Sequence, residues 1–247
     1  MKPNPEKWHL LLSDTNKNHC IAIGQNLIYN SNAEKILGVN IDNKLSFKNH
    51  INKICKKASQ KLYALSRVSN YMSFRQRRLI MDAFISSHFN YCSIVWMCHS
   101  RKLNNQINRI HHRALSLVYR DYTSSFETLL EKSNNVSVHF RNIQQLAVEI
   151  YKSQNNLSPS FMSEIFKVKE TKYNLRSSKC LVPSAPRTST YGIKSISYLA
   201  PKIWSLIPND IKSSYNLKAF KRKIRSWKPQ PCPCHLCKKF VVNIGFI

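Results

Sequence analysis

The chain has 247 residues and a formal net charge of +27, from 39 Lys and Arg against 12 Asp and Glu. Its length suits one large or two small domains, and 43% hydrophobic content supports a buried core, which excludes a disordered tail. Four glycines, where average usage would give about 17, argue against a many-turned β fold and leave no Gly-rich loop to cradle a nucleotide phosphate.

The charge is uneven: residues 1–70 carry +7, 71–160 carry +6 and 161–247 carry +14. Self-repulsion on this scale destabilises a lone compact chain, so the composition points to a polyanionic partner, nucleic acid first and an anionic membrane surface second. Eight cysteines occur, with no secretory leader and no run near the ~20 apolar residues of a membrane span. The expectation is an intracellular protein, nuclear and/or cytoplasmic, with reduced thiols.

In chain order, Trp8–Leu12, Cys20–Ile23 and Leu27–Tyr29 read as short strands, the last two as a hairpin turned at Gly24-Gln25-Asn26. The stretch 34–42 reads as a further strand region, with Gly38 marking a bulge or a close backbone approach. From Leu45 the period becomes helical. Ile51, Ile54, Cys55, Ala58, Leu62 and Leu65 form one apolar stripe, with Lys48, Lys53, Lys56, Lys57, Lys61 and Arg67 over much of the remainder. No Asp or Glu lies between Asp42 and Asp82 to pair with them. Ser73-x-x-Gln76 is a capping box opening a helix with Arg75, Arg77 and Arg78 in its first turn, where cations oppose the helix dipole. Leu79, Ile80, Ala83 and Phe84 are its expected core face.

Phe89–Trp96 reads as core, and Arg101–Tyr119 as an amphipathic helix carrying His111 and His112 without metal spacing. Ser124-x-x-Glu127, Val138–Tyr151 and Ser158-Pro159 through Phe166 give three more helices. Residues 168–192 lose all period and read as a linker, with one strand near Tyr173–Leu175. Ile196–Leu206 and the basic Leu217–Trp227 close the helical pattern. The expected fold is mainly α, with a small N-terminal strand region.

Carboxylates are too few and too scattered to hold two metal ions for phosphoryl transfer, and no nucleophile turn or His-Glu-x-x-His helix occurs. No catalytic residue is expected in this chain. Cys232, Cys234 and Cys237, with His235 beside them, suit zinc but leave its tetrahedron one ligand short. The other reading is three reduced cysteines in a basic tail.

Several stretches taken together resemble one family. They are Asn4-Pro5-x-Lys7, Glu34-Lys35-Ile36-Leu37-Gly38-Val39-x-Ile41-Asp42 and Leu45-Ser46-Phe47-x-x-His50-Ile51. Further on come Tyr91-Cys92-Ser93-Ile94-Val95-Trp96, Leu157-Ser158-Pro159, Tyr191-Gly192, Trp204-x-x-Ile207-Pro208 and Phe220-Lys221. The last is Cys232-Pro233-Cys234-His235-Leu236-Cys237 with Ile244-Gly245-Phe246. In this order they resemble the end of the reverse transcriptase of non-LTR (LINE-type) retrotransposons, nearest to the jockey and chicken-repeat group.

The resemblance implies that Lys7 belongs to a late palm motif near nucleotide phosphates, and that residues 34–42, with Lys35 and Gly38, match the primer grip, a hairpin that holds the primer's 3′ end. It implies a thumb lying along a template–primer duplex of RNA and/or DNA, and a nucleic-acid-binding C-terminal region. The implied division is 1–44 palm remnant, 45–122 thumb, 123–167 helices, 168–195 linker, 196–228 basic helices and 229–247 Cys-rich tail. The family's catalytic aspartates match nothing here, and Trp8 stands where a threonine usually follows the lysine. Magnesium is therefore expected only in a full-length polymerase, and this chain reads as a truncated copy that retains nucleic-acid binding without polymerisation. The expected contacts are Lys7, Lys35, Gly38, Lys48, Lys53, Lys56, Lys57, Lys61, Arg75, Arg77, Arg78, Lys221, Arg222, Lys223 and Arg225. The alternative is a repurposed basic module that binds protein or an anionic membrane.

Overall fold

The structure, a computed structural model, describes residues 8–13, 19–168, 180–182, 184–188 and 192–228. Lys7, the strand expected near Tyr173–Leu175 and the cysteines 232, 234 and 237 lie outside them. The protein is mainly α with small N-terminal sheets. It divides into two compact units, Met1–Cys92 with His99–Thr123, and Ser93–Cys98 with Ser124–Ile247.

The first unit begins with β1 (Leu10–Leu11), β2 (Cys20–Ile23) and β3 (Asn26–Ser31). β3 is central, parallel to β1 and antiparallel to β2, with Ile21 opposite Ile28. Residues 33–42 form a separate hairpin rather than a bulged strand: β4 (Ala33–Ile36) pairs with β5 (Val39–Asp42), Ile36 opposite Val39. Leu37 and Gly38 are the two turn residues, with φ of 46° and 85°. Positive φ at both positions defines the tight turn whose twist matches the strands it joins, so Gly38 serves the turn and not a bulge.

Asp42 joins this hairpin to the first long helix, α1 (Lys48–Val68). Its carboxylate accepts hydrogen bonds from the backbone N–H of Lys44, Ser46 and Phe47, the last at 2.7 Å, and from the Ser46 hydroxyl. Phe47, in a left-handed conformation, offers no side-chain cap, so this bracket organises the helix entrance in its place. His50 is buried and accepts the Asn40 N–H at Nδ1, 3.3 Å away. Burial and nearby Lys53 push its pKa below the usual histidine value, which keeps the acceptor nitrogen unprotonated. The apolar stripe of α1 buries Ile51, Ile54, Cys55, Ala58 and Leu65 as its period requires.

The next helical segment departs from expectation. The capping box at Ser73 and Gln76 forms and starts α2 (Phe74–Ile80), but a π-helical turn at Met81–Ser86 separates it from α3 (Ser87–Asn90). Arg77, Met81, Ile85 and Phe89 are buried at spacings of four, with Ser86 beside Ile85. An ordinary α-helix would drift off that stripe, and the wider π turn keeps it facing the core. Leu79, Ala83 and Phe84, expected in the core, are exposed, and so are Tyr91, Cys92 and Val95 of the stretch 89–96 that reads as core.

The unit is completed by α5 (Arg101–Tyr119), capped by Ser100, whose hydroxyl accepts the Leu103 N–H. Its Ile107, Ala114, Leu115 and Val118 are fully buried.

The second unit is built around α7 (Val138–Gln154). With it belong α4 (Ser93–Trp96), α6 (Phe126–Lys132), α8 (Phe161–Ile165), α9 (Ile196–Leu206), α10 (Asn209–Lys212) and α11 (Leu217–Ser226). The cap of α6 is Ser125, one residue beyond the expected Ser124. The core centres on Leu146, Tyr151, Trp204 and Phe220, with Tyr151 stacked on Phe220 at 4.2 Å. α9 carries Pro201 in its interior and still buries Leu199, Ala200, Ile203 and Trp204, an apolar face that outweighs one lost backbone hydrogen bond.

Candidate nucleic-acid interface

The outer side of α1 is an acid-free surface of the first unit. Lys53, Lys56, Lys57, Lys61 and Arg67 are all exposed there. At roughly 100° per residue they occupy about 140° of arc opposite the buried stripe, over about 21 Å of helix. Lys48 is exposed too but falls roughly 80° outside that arc. The helix has no acidic residue in its first turn or elsewhere, and Asp42 at its entrance is occupied by backbone N–H groups. Lys61 extends over the Phe84 ring, 5.9 Å from its centroid. Lys57 and Lys61 also act on His88, whose pKa is lowered first by burial and then by these two charges.

The arginines of the following helix separate from one another. Arg75 is exposed and Arg78 half-buried. Arg77, expected to meet phosphate, is instead 6% exposed. Its Nε donates to the Val118 carbonyl at 3.0 Å and its Nη1 to the Met72 carbonyl at 2.6 Å. Val118 lies in the last turn of α5, where carbonyls lack helical partners and a cation complements the helix dipole. Arg77 is therefore a brace inside the fold. Arg120 works beside it, donating to the Ser69 and Asn70 carbonyls. The sequence reads Arg77 by its charge in a first turn, and the carbonyls that receive it, Met72 and Val118, come together only in the fold.

At the hairpin tip, Leu37 is 84% exposed and Ile36 53%. The Tyr91 hydroxyl donates to the Leu37 carbonyl at 2.7 Å, and its ring lies 3.6 Å from where a Cβ on Gly38 would sit. Leu37 holds a backbone conformation that disfavours side chains, and Tyr91 fixes it there. Lys35 is exposed on β4. The result is a rigid, apolar-tipped hairpin with one cation on its flank.

In the second unit, α11 presents Lys218, Lys221, Arg222 and Arg225 to solvent at positions i, i+3, i+4 and i+7, one face of the helix. Lys223 points elsewhere and donates to the Asp210 carbonyl at 2.7 Å. Lys218 is the member that the expected contacts omit, although the spacing alone would have found it. An apolar groove of about 400 Å³ in the same unit has Glu149 and Glu164 in its wall, and Lys152 Nζ holds the Glu149 carboxylate at 2.8 Å.

Among the described residues no group of His, Cys, Asp and Glu side chains could hold a metal ion. No described helix is long and apolar enough to cross a membrane. Compared with protein-family models, with curated proteins and with solved structures, the chain gives no match.

Proposed function

We propose that this chain binds nucleic acid along the outer face of α1, as the thumb-like part of a non-LTR retrotransposon reverse transcriptase would hold a template–primer duplex, and that it does not polymerise by itself. The observation that carries this reading is the run of exposed, acid-free cations on one side of a helix whose other side is fully packed. Such a face repels itself unless something anionic lies along it, and a sugar-phosphate backbone supplies regularly spaced charge over the same ~21 Å. The hairpin 33–42, held by Asp42, His50 and Tyr91, stands at the start of the same helix. Its exposed Leu37 and Ile36 suit contact with a sugar or base edge rather than with phosphate.

The test is fluorescence anisotropy of the purified chain with a 20-base-pair duplex and with the matching RNA–DNA hybrid, between 50 and 200 mM salt. The four-fold variant Lys53→Gln, Lys56→Gln, Lys57→Gln, Lys61→Gln is expected to flatten the slope of log K against log salt by about 3.6, since each phosphate contact contributes roughly 0.9. An unchanged slope refutes the α1 face as the interface. Stronger binding to vesicles of anionic lipid than to either duplex at equal ionic strength favours the membrane-binding alternative.

A further inference from the structure

The cationic face of α11 borders a groove of about 730 Å³ lined by Tyr215, Leu217, Lys218, Ala219, Lys221, Arg222 and Arg225. We infer that this groove is a second, independent site that takes a short stretch of single-stranded nucleic acid, its phosphates on the four cations and a base on Tyr215. The inference rests on the nucleic-acid reading for the class of ligand only. Its residues, geometry and test are separate from those of α1.

Three features favour a single strand over a duplex. Tyr215 is 84% exposed, immediately before the helix cap at Asn216, where it covers no core. An aromatic ring in that position beside cations offers a stacking surface, and only an unpaired base presents its π-face to one. The lining comes from a single stretch, 215–225, one helix face with one ring at its end, which suits one strand rather than two. The four cations cover only about 10 Å of helix, enough for a short backbone segment.

The site is also firmly mounted. The Tyr151 hydroxyl donates to the Ser214 carbonyl at 2.7 Å, fixing the residue next to Tyr215. Asn216 caps the helix by accepting the Ala219 N–H at 2.7 Å. At the other end, Gln144 is buried and its Nε2 donates to the carbonyls of Arg225 and Trp227, at 3.0 and 2.8 Å. Phe220 and Ile224 anchor the inner face. A cation at Lys218 opposes the helix dipole and no acid of α11 offsets it, so the stripe is tolerated by the fold and not required by it.

The experiment uses the full chain and labelled 12-mers of thymidylate and uridylate at 100 mM salt. The variant Lys218→Gln, Lys221→Gln, Arg222→Gln, Arg225→Gln is expected to weaken 12-mer binding at least tenfold and to flatten its salt slope by about 2.8, at roughly 0.7 per single-strand phosphate. Tyr215→Ala is expected to weaken binding roughly 5- to 150-fold with the salt slope unchanged, and Tyr215→Phe to restore it, because stacking needs the ring alone. All these side chains are exposed, and circular dichroism melts of each variant confirm that the fold is kept. No effect of Tyr215→Ala, or equal displacement of the 12-mer by poly-glutamate, overturns the assignment in favour of a general polyanion surface. Loss of duplex binding in the α1 variant together with intact 12-mer binding in the α11 variant leaves the proposed function standing and removes this site. The reverse pattern keeps this site and removes the α1 interface.

Discussion

Replacing Arg77 separates a structural arginine from a phosphate-binding one. Its guanidinium is almost wholly buried and bonded to two carbonyls, one of them at the open end of α5. Hydrogen bonds from a charged donor contribute about 1.5–3 kcal/mol each. Arg77→Ala removes both and leaves two carbonyls unsatisfied beside a void, so a loss of about 3 kcal/mol is expected once partial relaxation is allowed for. In a protein of this size each kcal/mol moves Tm by roughly 2–4 °C, giving a fall of about 6–12 °C. Arg77→Met keeps the stem's volume without the donors and should fall by somewhat less. Arg77→Lys, a single point charge without a fork, should recover only part of the loss. The assay is thermal melting by circular dichroism, paired with duplex binding well below every Tm. The brace predicts a lower Tm with the salt slope of binding intact, whereas a phosphate contact predicts an unchanged Tm and a slope flatter by about 1. Variants that melt with the parent protein would refute the reasoning.

Two further outcomes concern side chains of α1 and α3. Burial pushes the Cys55 thiol up to about 12, and the residue is 1% exposed, so it should resist a thiol reagent at pH 8 while exposed Cys20, Cys92 and Cys180 react. Modification of Cys55 before denaturant is added would show that the α1 packing is wrong. His50 and His88 both have pKa values held below the usual 6.5, so the unfolded chain binds more protons than the native one as pH falls below that value. Their stabilisation is complete above about 6.5 and is lost on acidification through the lower native pKa values. Tm should therefore drop between pH 7.5 and 5.5, and less so in the double variant His50→Gln, His88→Gln. An equal drop in both proteins rules these histidines out as its source.

Periodicity made most of the helices legible, because burial in them follows the same 3.6-residue spacing that places apolar side chains. Arg101–Tyr119 has the expected bounds, and the stripe of α1 is buried as read. The reading failed where conformation broke the period. Nothing in residues 81–86 announces a π turn, which carries Phe84 off the expected core face, and Arg77, in the regular helix before it, reads as a phosphate contact from its charge and not from the period. At 33–42 the residues alone read as a strand region and only the resemblance implied a hairpin, because a leucine beside Gly38 does not look like turn chemistry and the bond from Tyr91 that steadies it comes from far along the chain. The exposed cations of α1 were readable from the missing acids alone. The groove beside α11 was not, since it depends on how Tyr215 leaves the loop that Tyr151 pins.

The π turn at Met81–Ser86 has a consequence for what the gene tolerates. A turn of this kind accommodates one residue more than the regular helix needs, so deleting any single residue from it would rewind the segment to ordinary pitch. Phe89 would then keep its place in the hydrophobic interior, because the stripe of Arg77, Met81, Ile85 and Phe89 would close up to spacings that ordinary pitch holds on one face. The Tyr91 tether to the strained hairpin tip would survive that deletion, whereas removing one residue from the regular helix α2 would turn everything after it by about 100° and take the tether away.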